Sequence, residues 1–314
     1  MSGTSRTNAP AAVLISDARR HQRSALGLGA RQFVRNRAAL VGLVALIALV
    51  TVSALARVLA PYDPTIINLS EKLQPPSPSH LLGTDYFGRD MLSRVMLGGQ
   101  VSLSVGLIVV ALALAIGVPI GLAAGYLGGR VENLLMRLMD AFLCFPPLLL
   151  AVAIVGTLGP DIKNVMLALG IVYIPIFARV VRASTLSVRE DLYVTAAKVV
   201  GGAPLRIVFR HILPNVVAPI VVQMTVTFAA AIIAEASLSF LGLGAQPPTP
   251  SWGRDLSEGR RYLEDAPWLL ITPTAVIMLA VLSVNYLGDG LRDAIDPRSW
   301  EQRGKATKKL SGGK

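Results

Sequence analysis

A chain of 314 residues that is 53% hydrophobic and only 16% charged is too apolar to fold as a soluble domain. Its net charge of +11 would suit a nucleic-acid partner. However, the basic residues are scattered over several segments with few aromatics between them, unlike a nucleic-acid groove. Crossing a hydrocarbon core of ~30 Å takes about 20 apolar residues as a helix, and the chain supplies such runs repeatedly.

Residues 1–37 are polar and Arg-rich and read as an N-terminal tail, of which the first 25 or so residues, with no periodic pattern, are expected to be disordered. A secretory signal has an apolar core of about 7–15 residues. The run Ala39–Ala60 is longer, so residues 38–60 read as a retained first transmembrane helix. An external loop is expected over 61–100, then a five-helix core over 101–290. Its spans are Val101–Leu127, Leu134–Thr157, Val165–Val181, Val216–Leu241 and Trp268–Leu287, and a tail follows over 291–314. The reading is all-α: a polytopic membrane protein with six transmembrane helices and no room for a separate soluble domain. With six spans, both termini and the loop after the fourth span share one side. Most Lys and Arg fall on that side, and Arg57, Lys72, Arg89, Arg94, Lys163, Arg254, Arg260 and Arg261 remain on the other. The positive-inside rule therefore places both termini in the cytoplasm.

Features inside the spans carry less chemistry. Gly117, Gly121 and Gly125 form a small-residue ridge that lets another helix approach. The third span carries Asp140, a Pro146–Pro147 pair and Cys144, the one cysteine, read as a small apolar filler. Glu235 lies well inside the fifth span, where an ionisable group costs several kcal/mol and must face a partner or a watery cavity. Helix-packing or gating support and direct substrate contact are both open to it. Gln223, Thr225, Thr227 and Asn285 are further candidates for polar pathway walls, or for helix packing. Asp140 and Asp289 read as interfacial anchors, and Arg179 and Arg182 as snorkelling side chains, too few for a voltage sensor. His21, His80 and His211 lie in separate segments, so neither a metal site nor a catalytic triad is indicated. A secondary transporter would need a relay of intramembrane charges, and a membrane-embedded enzyme a cluster of carboxylates or histidines. The sequence has neither.

The loop over 187–213 is the most informative stretch. Ser187 and Glu190 have capping-box spacing, which predicts a helix starting near Val188. Ala196 and Ala197 leave one face nearly bare for another protein to approach, with Tyr193, Thr195 and Lys198 around them. Gly201 and Gly202 permit a positive φ and a reversal. Pro204 opens a second short helix carrying Arg206, with an expected apolar stripe of Leu205, Val208, Phe209 and Ile212.

Ala196, Ala197, Gly201, Leu213 and Pro214 resemble the EAA signature of ATP-binding-cassette importer permeases, with Thr195 where that family usually has Glu. The run Leu82–Arg94 (Leu-Gly-Thr-Asp-Tyr-Phe-Gly-Arg-Asp-Met-Leu-Ser-Arg) is similar to a segment of the dipeptide/oligopeptide/nickel permeases. So are Glu235–Gly253 and Leu287–Pro297. The four segments resemble the C-type member of the permease pair over about 31–298. The resemblance implies a type I ABC importer permease fold in a bacterial cytoplasmic membrane. It implies half of the translocation pathway for dipeptides or short peptides, or alternatively for nickel complexes or another small ligand. The implied partners are a B-type permease subunit, two ATPase subunits that bind ATP and Mg, and an extracytoplasmic binding protein; no cofactor is implied in this chain, which would not itself be an enzyme. The implied ATPase-coupling residues are Tyr193, Thr195, Ala196, Ala197, Lys198, Gly201 and Arg206. Segments 61–100 and 244–267 would receive the binding protein, with Asp85–Arg94 and Gln246–Trp252 open to labelling from outside.

Overall fold

The computed structural model describes residues 32–295, and the expectations for both tails lie outside them. The described residues are helical, with no strand beyond an isolated bridge between Thr84 and Asp90. Helix α1 spans Arg37–Ala54 and α2 Ala56–Leu59; α3 spans Met91–Leu127, α4 Gly129–Leu143, α5 Pro147–Leu158 and α6 Ile162–Arg189. The hairpin helices are α7, Leu192–Val199, and α8, Pro204–Ile207. Helix α9 spans Leu213–Phe240, α10 Trp252–Gly259 and α11 Trp268–Ile295.

Among the described residues five helices are long and apolar enough to cross a membrane, and the pair α4–α5 makes a sixth crossing if counted as one bent span. Local chemistry sets the ends. The side chains of Asn36, Asp90 and Asp161 accept from Ala39, Ser93 and Lys163 backbone N–H groups at the starts of α1, α3 and α6. Gly128, at φ +67°, ends α3.

Several spans differ from the sequence-based expectation. The first ends at Ala54, with a separate turn over Ala56–Leu59, instead of running to Ala60. The second begins at Met91, ten residues before the expected Val101. Its 37 residues make a rod about 55 Å long, so it extends well beyond a ~30 Å core. The third span is broken: α4 and α5 meet at 84° across residues 144–146, where Pro146 precedes Pro147 at the first position of α5. Cys144 sits at that break and is exposed, not a buried filler.

The glycine ridge does what its spacing predicts. A Cβ on Gly117, Gly121 or Gly125 would stand 2.6–2.8 Å from the Ile174 carbonyl and Phe177, the Ala178 carbonyl and Val181, or Thr185, respectively. Only hydrogen fits there, and α3 therefore makes its most extensive packing with α6. The main core lies between α3, α5, α6 and α9, around Val105, Val109, Val155, Leu169, Phe177 and Leu238. Helix α1 packs on α11 and leaves Val41, Val44 and Ile47 exposed, as suits a lipid-facing helix.

Candidate functional site

The hairpin between α6 and α9 begins later than its sequence suggests. Ser187 is still within α6 and Glu190 is its C-terminal cap, so the expected capping box does not form. Helix α6 runs on because its last turns lie against the glycine ridge, where the Arg189 Nη1 donates to the Gly125 carbonyl at 3.0 Å. Helix α7 then starts at Leu192, with Asp191 at its N-cap position. Burial, with the neighbouring Asp191 carboxylate, raises the Tyr193 phenol above its ordinary range. Gly201 takes φ +81°, and its N–H donates to the Lys198 carbonyl at 3.0 Å. The Gly202 N–H donates to the Ala197 carbonyl at 3.0 Å, and Pro204 occupies the first turn of α8.

No loop separates α8 from the fifth span. A π-helical turn over Val208–Ile212 joins them, and residues 204–240 run as one apolar helical stretch. The extra residue in that turn shifts the helical phase. The expected stripe therefore splits: Ile212 is buried, Leu205 and Phe209 point outward, and Ile207 takes the inward place.

One face of the hairpin is anchored. Val194, Ile207, Ile212 and Val216 are buried against Leu122 of α3 and Val181 of α6, with Ala197 half-buried beside them. The Lys198 ammonium lies 5.6 Å from the centre of the Tyr126 ring. The other face is open. Leu192, Val199, Val200, Leu205 and Phe209 are 61–89% exposed, with Tyr193, Thr195, Ala196, Gly201 and Arg206 exposed among them. Such a concentration of large apolar side chains on a polar loop marks an interaction surface. The chain thus brings the seven hairpin candidates together on one rigid element.

The membrane-depth candidates do not converge. Glu235 has no exposed surface; it accepts from Ser239 Oγ at 2.7 Å and from Ser102 Oγ at 3.0 Å. Ser102 Oγ in turn accepts from the Trp252 backbone N–H at 3.3 Å, and the Trp252 indole N–H donates to the Val95 carbonyl at 2.9 Å. Glu235 therefore ties α3, α9 and the start of α10 together. Gln223 Nε2 donates to the buried Thr227 Oγ1 at 3.1 Å, twelve residues or about 18 Å along α9 from Glu235. Thr225 bonds back to the Val222 carbonyl, and Asn285 is exposed on α11. Arg179 pairs with Asp140, and Arg182 with Glu132, each joining α6 to α4, so both arginines are partnered and do not simply snorkel. Asp289 is exposed in the last turns of α11.

On the face opposite the hairpin, sequence reasoning missed a buried charge cluster. Arg94 is 1% exposed; its Nε donates to Asp255 Oδ1 at 2.9 Å and its Nη2 contacts the same oxygen. Arg89 donates to Asp85 and, at 2.8 Å, to Glu258. His80 bonds Asp90 at 2.9 Å, and the Trp268 indole N–H donates to the Thr84 carbonyl at 3.1 Å. Burial pushes the Asp255 carboxyl above the ordinary carboxylate range, against the opposing pull of Arg94. Asp85, Arg89, Asp90 and Arg94 are thus buried, contrary to the expectation that Asp85–Arg94 is open to labelling; 252–258 supplies carboxylates to both arginines, while Asp85 pairs with Arg89 and Asp90 with His80. In the second segment Gln246 and Thr249 are exposed, whereas Trp252 is buried. The one signal available in the sequence was the density of opposite charges between Gly83 and Arg94, with Asp85 and Arg89 four apart.

Comparison with known proteins agrees with this architecture. Residues 117–301 match the family described as the binding-protein-dependent transport system inner membrane component, and residues 24–76 match the N-terminal TM domain of oligopeptide transport permease C. The dipeptide transport system permease protein DppC of Alkalihalophilus pseudofirmus is 46% identical over 268 residues, covering 85% of this chain and 88% of that protein. The di/tripeptide transport system permease protein DppC of Pseudomonas aeruginosa is 44% identical over 274 residues, covering 85% and 90%. A chain of the inward-facing MetNI methionine ABC transporter shares the fold at a TM-score of 0.55 and 18% identity, covering 66% of this chain and 98% of that one. The protein is a multi-pass membrane transport component and not an enzyme. It belongs to the peptide permease family of bacterial ABC importers, in the branch of permease C.

Proposed function

We propose that this chain forms half of the translocation pathway of an ATP-driven importer of dipeptides or short peptides. Its relatives in Alkalihalophilus and Pseudomonas are named for dipeptide and di/tripeptide transport. A B-type permease supplies the other half. Two ATPase subunits hold ATP and Mg and carry out hydrolysis, and this chain holds no cofactor. Both termini and the hairpin lie in the cytoplasm, and a binding protein delivers substrate to the opposite face.

The observation that carries this reading is the hairpin: exposed and apolar on one face, anchored on the other, and continuous with the fifth span. Docking there gives an ATPase a grip on α9 with no flexible linker between. The inner face, packed on α3 and α6, passes the same displacement to the helices joined by the glycine ridge. Alternating access then follows from rigid-body motion of the spans.

Gly201→Asp tests the coupling. A Cβ at Gly201 meets nothing within 4 Å, so the cost to the isolated chain is backbone strain at φ +81°, about 1–2 kcal/mol. A charged side chain in a packed docking contact should cost on the order of 2–4 kcal/mol, which weakens docking by tens- to several-hundredfold. The variant should insert and pair with its partner permease, yet lose transport and pulldown of the ATPases. Wild-type pulldown and transport in Gly201→Asp and Ala197→Glu would make the hairpin a plain connector.

A further inference from the structure

The face opposite the hairpin holds a cleft of about 410 Å³ between the 61–90 segment and the outer end of α9. That volume lies within the ~300–1,000 Å³ of small-ligand sites. Part of its lining is aromatic: the rings of Tyr86 and Tyr262 stack with centroids 5.3 Å apart, and Phe87 lies against Tyr86. Three guanidinium groups line it too, from Arg89, Arg254 and Arg261, with Arg89 lying 4.6 Å from the centre of the Phe87 ring.

Their charges are not balanced within the cleft. Glu258 is the one lining carboxylate, and it is already engaged twice, by Arg89 Nη2 at 2.8 Å and by Arg254 Nε at 2.9 Å. Asp85 holds Arg89 from the far side of the charge cluster. Arg261 is exposed and, among the described residues, has no ion-pair partner. The cleft therefore presents a fixed pair of anchored arginines and one free guanidinium beside an aromatic platform. A planar fork of N–H donors matches a carboxylate, and the rings match an apolar or aromatic side chain next to it.

We propose that this cleft is a peptide subsite, taking the C-terminal carboxylate of a short peptide on Arg261 with its last side chain against Tyr86 and Tyr262. The inference rests on the importer reading above and deepens it: the peptide is held at the outer face before it enters the membrane. Because Ser239 both lines the cleft and bonds Glu235, the subsite abuts the junction of α3, α9 and α10.

The test uses the whole complex, with partner permease and ATPases, in nanodiscs without binding protein. Saturation-transfer NMR is recorded with Ala-Phe and with its C-terminal amide at millimolar concentration. Ala-Phe should give a signal on the phenyl ring that falls about tenfold for the amide, and falls as far for Ala-Phe on the Arg261→Glu complex, with partial recovery in Arg261→Lys. Equal signals for acid and amide would overturn the proposal. So would a signal that survives Arg261→Glu, since the peptide would then sit elsewhere. Loss of binding-protein affinity in Arg261→Glu without any dipeptide signal would also overturn it, and would give the cleft to an acidic loop of that protein. The same complexes are assayed for ATP hydrolysis with peptide-loaded binding protein. Stimulated hydrolysis without a peptide signal refutes the subsite alone, whereas absent stimulation refutes the importer reading.

Discussion

Replacing Arg94 with alanine isolates the role of the buried charge cluster. Arg94 and Asp255 have side chains only 1% and 2% exposed, and Asp255 Oδ1 takes both of its guanidinium contacts. Among the described residues Asp255 Oδ2 has no hydrogen-bond partner, so Arg94 is the main compensation of this carboxylate. At about 4 Å and an effective dielectric of ~20, two unit charges attract by about 4 kcal/mol. Stranding one member of such a pair costs about 3–5 kcal/mol. Scaled as for soluble domains of 150–250 residues, that is a fall in Tm of about 6–20 °C. Helix α10 should loosen from α3, and protease should reach residues 61–90. Replacing both partners, Arg94→Met with Asp255→Leu, removes the stranded charge and should recover most of the loss.

The deficit should also depend on pH. Without Arg94, burial and the Glu258 charge raise the folded pKa of Asp255 further above the unfolded value near 3.9, with the more distant Arg89 the remaining opposing charge. A raised carboxyl favours the fold below about pH 4, and that contribution is lost as pH rises through the folded value. The Arg94→Ala variant should therefore fall progressively below wild type as pH increases from 4 toward neutrality. Thermal unfolding of nanodisc samples at several pH values reads this directly. A single variant within about 1 kcal/mol of wild type, or a double variant as unstable as Arg94→Ala, would refute the reasoning.

Two further outcomes are expected. Glu235→Ala strips both serine hydroxyls of their acceptor and should lower transport more than complex yield, while Glu235→Gln keeps the acceptor and retains some function; wild-type transport by Glu235→Ala would reduce this residue to passive packing. In a Cys144→Ala background, cysteines at Gln246 and Thr249 should react with an impermeant maleimide from outside the cell, whereas a cysteine at Arg94 should not; labelling of the first two only after permeabilisation would reverse the proposed topology.

Much of this protein was legible in its sequence because the controlling physics is local. An apolar run of some 20 residues has few choices in a membrane, and every span that was read overlaps the helix or broken helix that formed, although the ends differ. Gly201 and Pro204 act through their own backbones, so the turn and the start of α8 followed from residue type. The ridge of Gly117, Gly121 and Gly125 needed only the helical period, although the partner helix, α6, was not named by it.

What depended on the fold was every choice between partners. The Ser187–Glu190 capping box has the right spacing, but packing against the glycine ridge kept α6 helical through Arg189. Leu205 and Phe209 changed faces because a π-turn altered the helical phase, and a single inserted residue leaves no mark in hydropathy. The cluster on the opposite face pairs Arg94 with a carboxylate 161 residues away, and Glu235 meets a serine 133 residues away. Composition states that a buried charge must be compensated; only the packing of α3, α9 and α10 against one another selects the group that does it.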